Sequence, residues 1–179
     1  MMMGIEEEYL HVVRKRFQSV KELGDKTINQ LAEEHIHWSL NEESNSIAVI
    51  VKHLYGNMVS RWTNFLTSDG EKPTRDRDQE FEETIYSLQE LRNTWENGWK
   101  VLFQALHEVS GDDLLKTILI RSEEHTVIDA IERQLAYYAY HVGQIVYIGK
   151  QVKGEDWETL SIPRGKSEAY LEEMRRKYK

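Results

Sequence analysis

Apolar residues recur at steps of three and four along most of the chain, the spacing that lines one face of an α-helix. In the first such stretch Ile5, Tyr9, Val13, Phe17, Val20 and Ile28 share a side. A second stripe runs through Ile47, Ile50, Val51, Leu54, Met58, Trp62 and Phe65, preceded by Ser44-Asn45-Ser46, which offers several N-caps. The third and cleanest runs from Phe81 and Ile85 through Leu88, Leu91, Trp95, Trp99 and Leu102 to Leu106. The fourth contains Val127, Ile131, Leu135, Tyr138, Val142 and Ile145, opened by Thr126 with Asp129 three residues later and stopped by Lys153-Gly154. These patterns predict helices near residues 5–32, 46–66, 79–108 and 127–152, with a bend or slip at Gly24 in the first. Ile118-Leu119-Ile120 reads as a short extended excursion, and Ser167 opens a last short amphipathic helix.

Four helices of similar length joined by moderate loops predict an all-α, antiparallel four-helix bundle. Residues 1–179 read as a single domain with a short C-terminal extension, without internal repeats or a linker.

The net charge of −8 disfavours nucleic acid and anionic membrane as partners, although local basic spots can still hold a small anion. The absence of cysteine removes disulfides, thiolate metal sites and a cysteine nucleophile. The N-terminal residues lack the basic leader and apolar run of a signal peptide. Nothing approaches the roughly 20 apolar residues of a membrane span. A cytoplasmic protein is expected.

Candidate chemistry centres on two of the seven histidines. His53 borders the apolar stripe of the second helix. His141 in the fourth follows Tyr137 by four residues, so the two share a face. If the helices pack, two imidazoles and an oxygen donor converge, a set suited to Zn²⁺, Ni²⁺ or Fe²⁺. Lone histidines beside apolar stripes are more often hydrogen-bonded structural residues, and spacing alone leaves both readings open. His125 precedes His141 by sixteen residues, about 24 Å along a helix, and is excluded from the pair. His35 and His37 fall in a loop. Arg121, Arg164 and Lys166 lie in the least regular segments, where cations at a bundle mouth can hold a carboxylate or phosphate.

Val51-Lys52-His53-Leu54 and Tyr140-His141-Val142-Gly143-Gln144-Ile145, with the tail Ile162-Pro163-Arg164-Gly165-Lys166-Ser167, resemble the DinB-like superfamily, and more closely its uncharacterised Bacillus-type subfamily. The resemblance covers nearly the whole chain. It implies an up-down-down-up helix order, a homodimer, and a divalent metal, Zn or Ni, held by three histidines. His53 and His141 match two of these, and Tyr137 stands at the third. A phenol is a poor ligand unless the metal overcomes a pKa near 10, so binding is expected to be weak or absent. Relatives include metal-dependent transferases that use low-molecular-weight thiols. The resemblance therefore implies a thiol S-transferase of stress or detoxification type. In it His53 and His141 hold the metal, Tyr137 is a weak metal ligand or the catalytic proton donor, and Arg121 or Arg164 anchors the thiol's acidic groups. The competing expectation is a non-catalytic bundle that has lost the metal and keeps a pocket for ligand binding or dimerisation.

Overall fold

A computed structural model describes residues 4–178 and is mostly helical. Four long helices, α1 (Ile5–Ile28), α2 (Ile47–Trp62), α3 (Leu88–Glu108) and α4 (Val127–Lys153), precede a short α5 (Ser167–Lys177). The caps lie where side-chain chemistry puts them. The Ser46 hydroxyl accepts from the Val49 amide at 3.2 Å, Ser87 from Glu90 at 3.1 Å and Thr126 from Asp129 at 3.3 Å.

The third helix is shorter than its apolar period predicts. Phe81 lies in a single 3₁₀ turn, Asp78–Phe81, and Ile85 is buried from non-helical backbone. The Ser87 cap, with extended φ and ψ, sets the helix start seven residues beyond the first apolar position of the stripe. The first helix likewise stops at Ile28 and the second at Trp62. Gly24 does not interrupt α1. Its role is close approach, since a Cβ there would lie 2.3 Å from the Trp95 ring, whose indole N–H donates to Asp25 at 2.6 Å.

Ile118-Leu119-Ile120 forms the strand expected of it, within β1 (Thr117–Ile120), and pairs antiparallel with an unanticipated β2 (Glu123–Thr126). The latter is too polar to announce itself. The hairpin turn consists of Arg121 and Ser122, both left-handed with φ of 56° and 63°, a conformation matching the twist of a two-residue hairpin.

Packing joins α2 to α3 and α1 to α4 most extensively, with further contacts between α2 and α4 and between α1 and α3. Phe17, Trp62, Trp99 and Tyr138 fill the middle, and Trp95 and Trp99 are buried as their stripe predicts. One polar chain crosses this core. The Trp62 indole N–H donates to the Tyr138 hydroxyl at 2.9 Å, which donates to Asn57 Oδ1 at 2.9 Å. Among the described residues no helix is long and apolar enough to cross a membrane.

Tyr138 is fully buried, so Tyr138→Phe leaves an indole donor and an amide acceptor unpaired in the core. Urea denaturation should show a loss of about 2 kcal/mol with an unchanged far-ultraviolet dichroism spectrum. A loss below about 0.5 kcal/mol would mean that the hydroxyl is not needed there.

Candidate functional site

The second helix presents His53 to the interior, where only 2% of its surface is exposed. Both ring nitrogens have partners. The Nδ1 atom lies 2.8 Å from Glu80 Oε2, and the Tyr137 hydroxyl is in short contact with Nε2. With Glu80 ionised, Nδ1 must carry the proton and donate it, which leaves the Nε2 lone pair to accept from Tyr137. Phe81 stacks on the imidazole with ring centroids 4.7 Å apart.

Glu80 is buried and doubly held. Arg75 Nε donates to its Oε1 at 2.7 Å and Arg75 Nη2 to its Oε2 at 2.8 Å. Burial works against the carboxylate, but the Arg75 guanidinium and His53 hold it below the usual carboxyl range. Gly56 makes this placement sterically feasible, for a Cβ there would sit 2.2 Å from Glu80 Oε1. Lys52 tethers the same segment by donating to the carbonyls of Gln79 and Glu82.

On α4, Arg133, Tyr137 and His141 follow one another at four-residue steps. The His141 ring centroid lies 5.2 Å from that of His53 and 4.6 Å from that of Tyr137. Its Nδ1 approaches Gln144 Oε1 at 3.0 Å, and its Nε2 is buried without a partner. In the neutral ring, Nδ1 donating to that oxygen leaves Nε2 a free lone pair. Burial lowers the His141 pKa to about 4, which keeps the ring neutral near pH 7. Burial also raises that of Tyr137, against the pull of Arg75 and Arg77. The donor set is therefore two imidazoles and a phenol. Among the described residues no three His, Cys, Asp or Glu side chains group so as to hold a metal. The third protein ligand available here is the Tyr137 oxygen.

Beside Tyr137 opens a cavity of about 210 Å³ with five arginines around it: Arg61 from α2, Arg75 and Arg77 from the loop after it, Arg121 from the hairpin turn and Arg133 from α4. Asn57 and Gln134 complete the lining. Glu71 bridges part of the cluster, accepting from Arg61 at 3.0 Å, Arg121 at 3.0 Å and Arg75 at 3.3 Å. Asp69 fixes the hairpin against this loop. Its Oδ1 accepts from the Glu71 and Arg121 amides at 2.7 and 2.8 Å, and its Oδ2 from the Ser122 amide at 2.7 Å. Those three bonds, led by the one from Glu71, hold the Asp69 carboxyl below its usual range and offset the left-handed turn. Gly70 adds a backbone bond to the Leu119 carbonyl at 2.8 Å.

The structure thus brings together His53, His141 and Tyr137, and adds Arg121 through the adjoining cavity. Arg164 is exposed in the turn before α5 and lines neither the imidazole cluster nor the cavity. Three of the other histidines serve locally. His35 Nδ1 accepts from the Ala32 amide at 3.0 Å, His37 pairs with Glu83, and His125 Nδ1 lies 2.6 Å from Asp129. Sequence reasoning passed over Glu80, Arg61, Arg75, Arg77 and Arg133. Only Arg133 had a usable signal, since it stands one helical turn before Tyr137.

A family model described as a protein of unknown function (DUF1572) matches residues 4–166. No curated protein matches the chain.

Glu80→Gln removes the charge that Arg75 and His53 share. Chemical denaturation at pH 7 should show a loss of about 3 kcal/mol. The Glu80 carboxyl titrates lower in the fold than in the unfolded chain, so its contribution is complete above the ordinary value of 4.5 and fades as pH falls through the folded value. The stability gap between wild type and variant should therefore be constant near neutrality and narrow in acid. A gap independent of pH down to full unfolding would show that the carboxylate is not held as described.

Proposed function

The chain belongs to the DUF1572 family, whose function is unknown, and we propose from the geometry of the site that it is a divalent-metal-dependent transferase acting on a low-molecular-weight thiol. The supporting observation is the convergence of two imidazoles on the Tyr137 phenol: His53, oriented by a buried carboxylate, accepts from the phenol through Nε2, and His141 keeps its Nε2 unpartnered. Glu80 stands to His53 as an outer carboxylate stands to a ligating histidine, fixing tautomer and ring orientation. His53 and His141 would hold a Zn or Ni ion, with Tyr137 either a weak third ligand or, keeping its proton, the proton donor. When bound, the ion would supply Lewis acidity that favours thiolate over thiol.

The chain's own residues do the rest. Arg121 and its neighbours in the cavity hold the acidic end of the thiol, leaving its sulfur near Tyr137. The sulfur bonds to the electrophilic carbon of a second substrate, and the leaving group departs with the electron pair of the broken bond. Tyr137 gives that group its proton, and the proton released by the thiol restores the phenol. Burial favours the protonated phenol, as a proton donor requires. The same proposal includes the DinB-like up-down-down-up helix order, a homodimer and a cytoplasmic setting.

A second reading, a non-catalytic bundle keeping the pocket for ligands, gains support from the phenol at the third ligand position. The absence of any three-residue His, Cys, Asp or Glu group among the described residues also favours it.

Titration calorimetry with Zn²⁺, on protein made without a histidine tag, separates the two. Wild type should bind weakly, Tyr137→His at least about tenfold more tightly, and His141→Ala undetectably. Equal affinity in all three would remove the metal and leave the ligand-binding bundle.

A further inference from the structure

The cavity beside Tyr137 poses an electrostatic problem that the protein does not solve with its own groups. Five guanidinium groups from four separate segments surround about 210 Å³, in a chain whose net charge is −8. Two carboxylates, Glu71 and Glu80, bond to Arg61, Arg75 and Arg121. Among the described residues Arg77 and Arg133 pair with no carboxylate. The Arg61 side chain is 5% exposed, yet its Nε–H is a buried donor without an acceptor. Like charges at this density repel, and a buried donor lacking an acceptor is costly, so an anion inside would relieve both.

The geometry limits which anion. The cavity holds about seven waters' volume, small for an extended ligand and sufficient for one compact head group. Its arginines approach from the α2 end, the following loop, the hairpin turn and α4, not from one plane. A planar monocarboxylate presents two oxygens and one charge. A phosphate monoester presents three oxygens on a tetrahedron and roughly two charges near pH 7, and guanidinium forks pair with it bidentately. We propose that the arginine cavity is a subsite for a phosphate monoester dianion, so that the small-molecule substrate enters phosphate first and places its next atoms against the Tyr137 hydroxyl. The proposal rests on the preceding reading only in placing the substrate's acidic end here. Phosphate binding itself requires neither the metal nor the thiol.

The test uses the full chain, with chelator present, and inorganic phosphate and glycerol 2-phosphate as probes in titration calorimetry at low ionic strength. Both should bind, and more weakly as salt rises. Arg77→Ala and Arg133→Ala are suitable variants because both residues are exposed. Each should weaken binding about tenfold and the pair should abolish it, while Arg175→Ala in α5 leaves it unchanged. His141→Ala should bind phosphate like wild type even though it loses Zn²⁺, which separates this inference from the metal reading. Malonate serves as the dicarboxylate competitor. Tighter binding of malonate than of phosphate would overturn the phosphate assignment. Absence of phosphate binding, or binding unaffected in the Arg77→Ala/Arg133→Ala double variant, would overturn the subsite.

Discussion

A carboxylate cannot remain ionised in a protein interior without partners, and Glu80 is the buried carboxylate around which the functional end of this molecule is arranged. Its two oxygens take two bonds from Arg75 and one from His53. That one group joins the loop after α2 to α2 itself and decides which nitrogen of His53 faces Tyr137. It also fixes Arg75 at the wall of the arginine cavity. Gly56 belongs to the same constraint, because any side chain there would occupy the space of the carboxylate. The imidazole cluster and the arginine cavity therefore share one buried charge.

The adjacent tyrosines of α4 show how a helix divides its duties by a rotation of one residue. Tyr138 turns into the core and closes the chain from Trp62 to Asn57. Tyr137, about 100° around the helix, turns its hydroxyl to His53 and to the cavity. Asn57 takes part in both, accepting from Tyr138 and lining the arginine cavity. The site is thus built directly against the rigid aromatic core, an arrangement that suits side chains required to hold fixed geometry.

The long helices were legible because burial on one face imposes a period that survives in the sequence. The limits of that signal are equally physical. Phe81 and Ile85 continue the period of α3 without being helical, because a buried apolar side chain can be supplied from a loop as well as from a turn of helix. Only the Ser87 cap distinguishes the two, and it competes with many other serines. His53, His141 and Tyr137 could be brought together on paper from helical faces and a family resemblance. Glu80 could not, since its position depends on a loop path set by Asp69, Gly70 and the hairpin. The arginine cluster escaped for the same reason. Its members lie as far apart as Arg61 and Arg133, and only the fold gives them a common neighbourhood.

Tyr137 stands where those two neighbourhoods meet, and this ties together the chemistry proposed for each. As a metal ligand the phenol would have to lose its proton, which burial opposes and the nearby Arg75 and Arg77 favour. An anion in the cavity would cancel much of that arginine field. The phenol would then hold its proton more firmly, and the metal would lose its third protein ligand. Ligation by Tyr137 and occupancy of the cavity are therefore opposed through Coulomb's law, and by linkage each must weaken the other to the same degree. Proton donation works in the other direction. A filled cavity keeps the phenol protonated and hydrogen-bonded to His53, the state in which it can give a proton to a leaving group. If both proposals hold, the tyrosine at this position is less a defective histidine than a group whose proton is governed by the charge next to it.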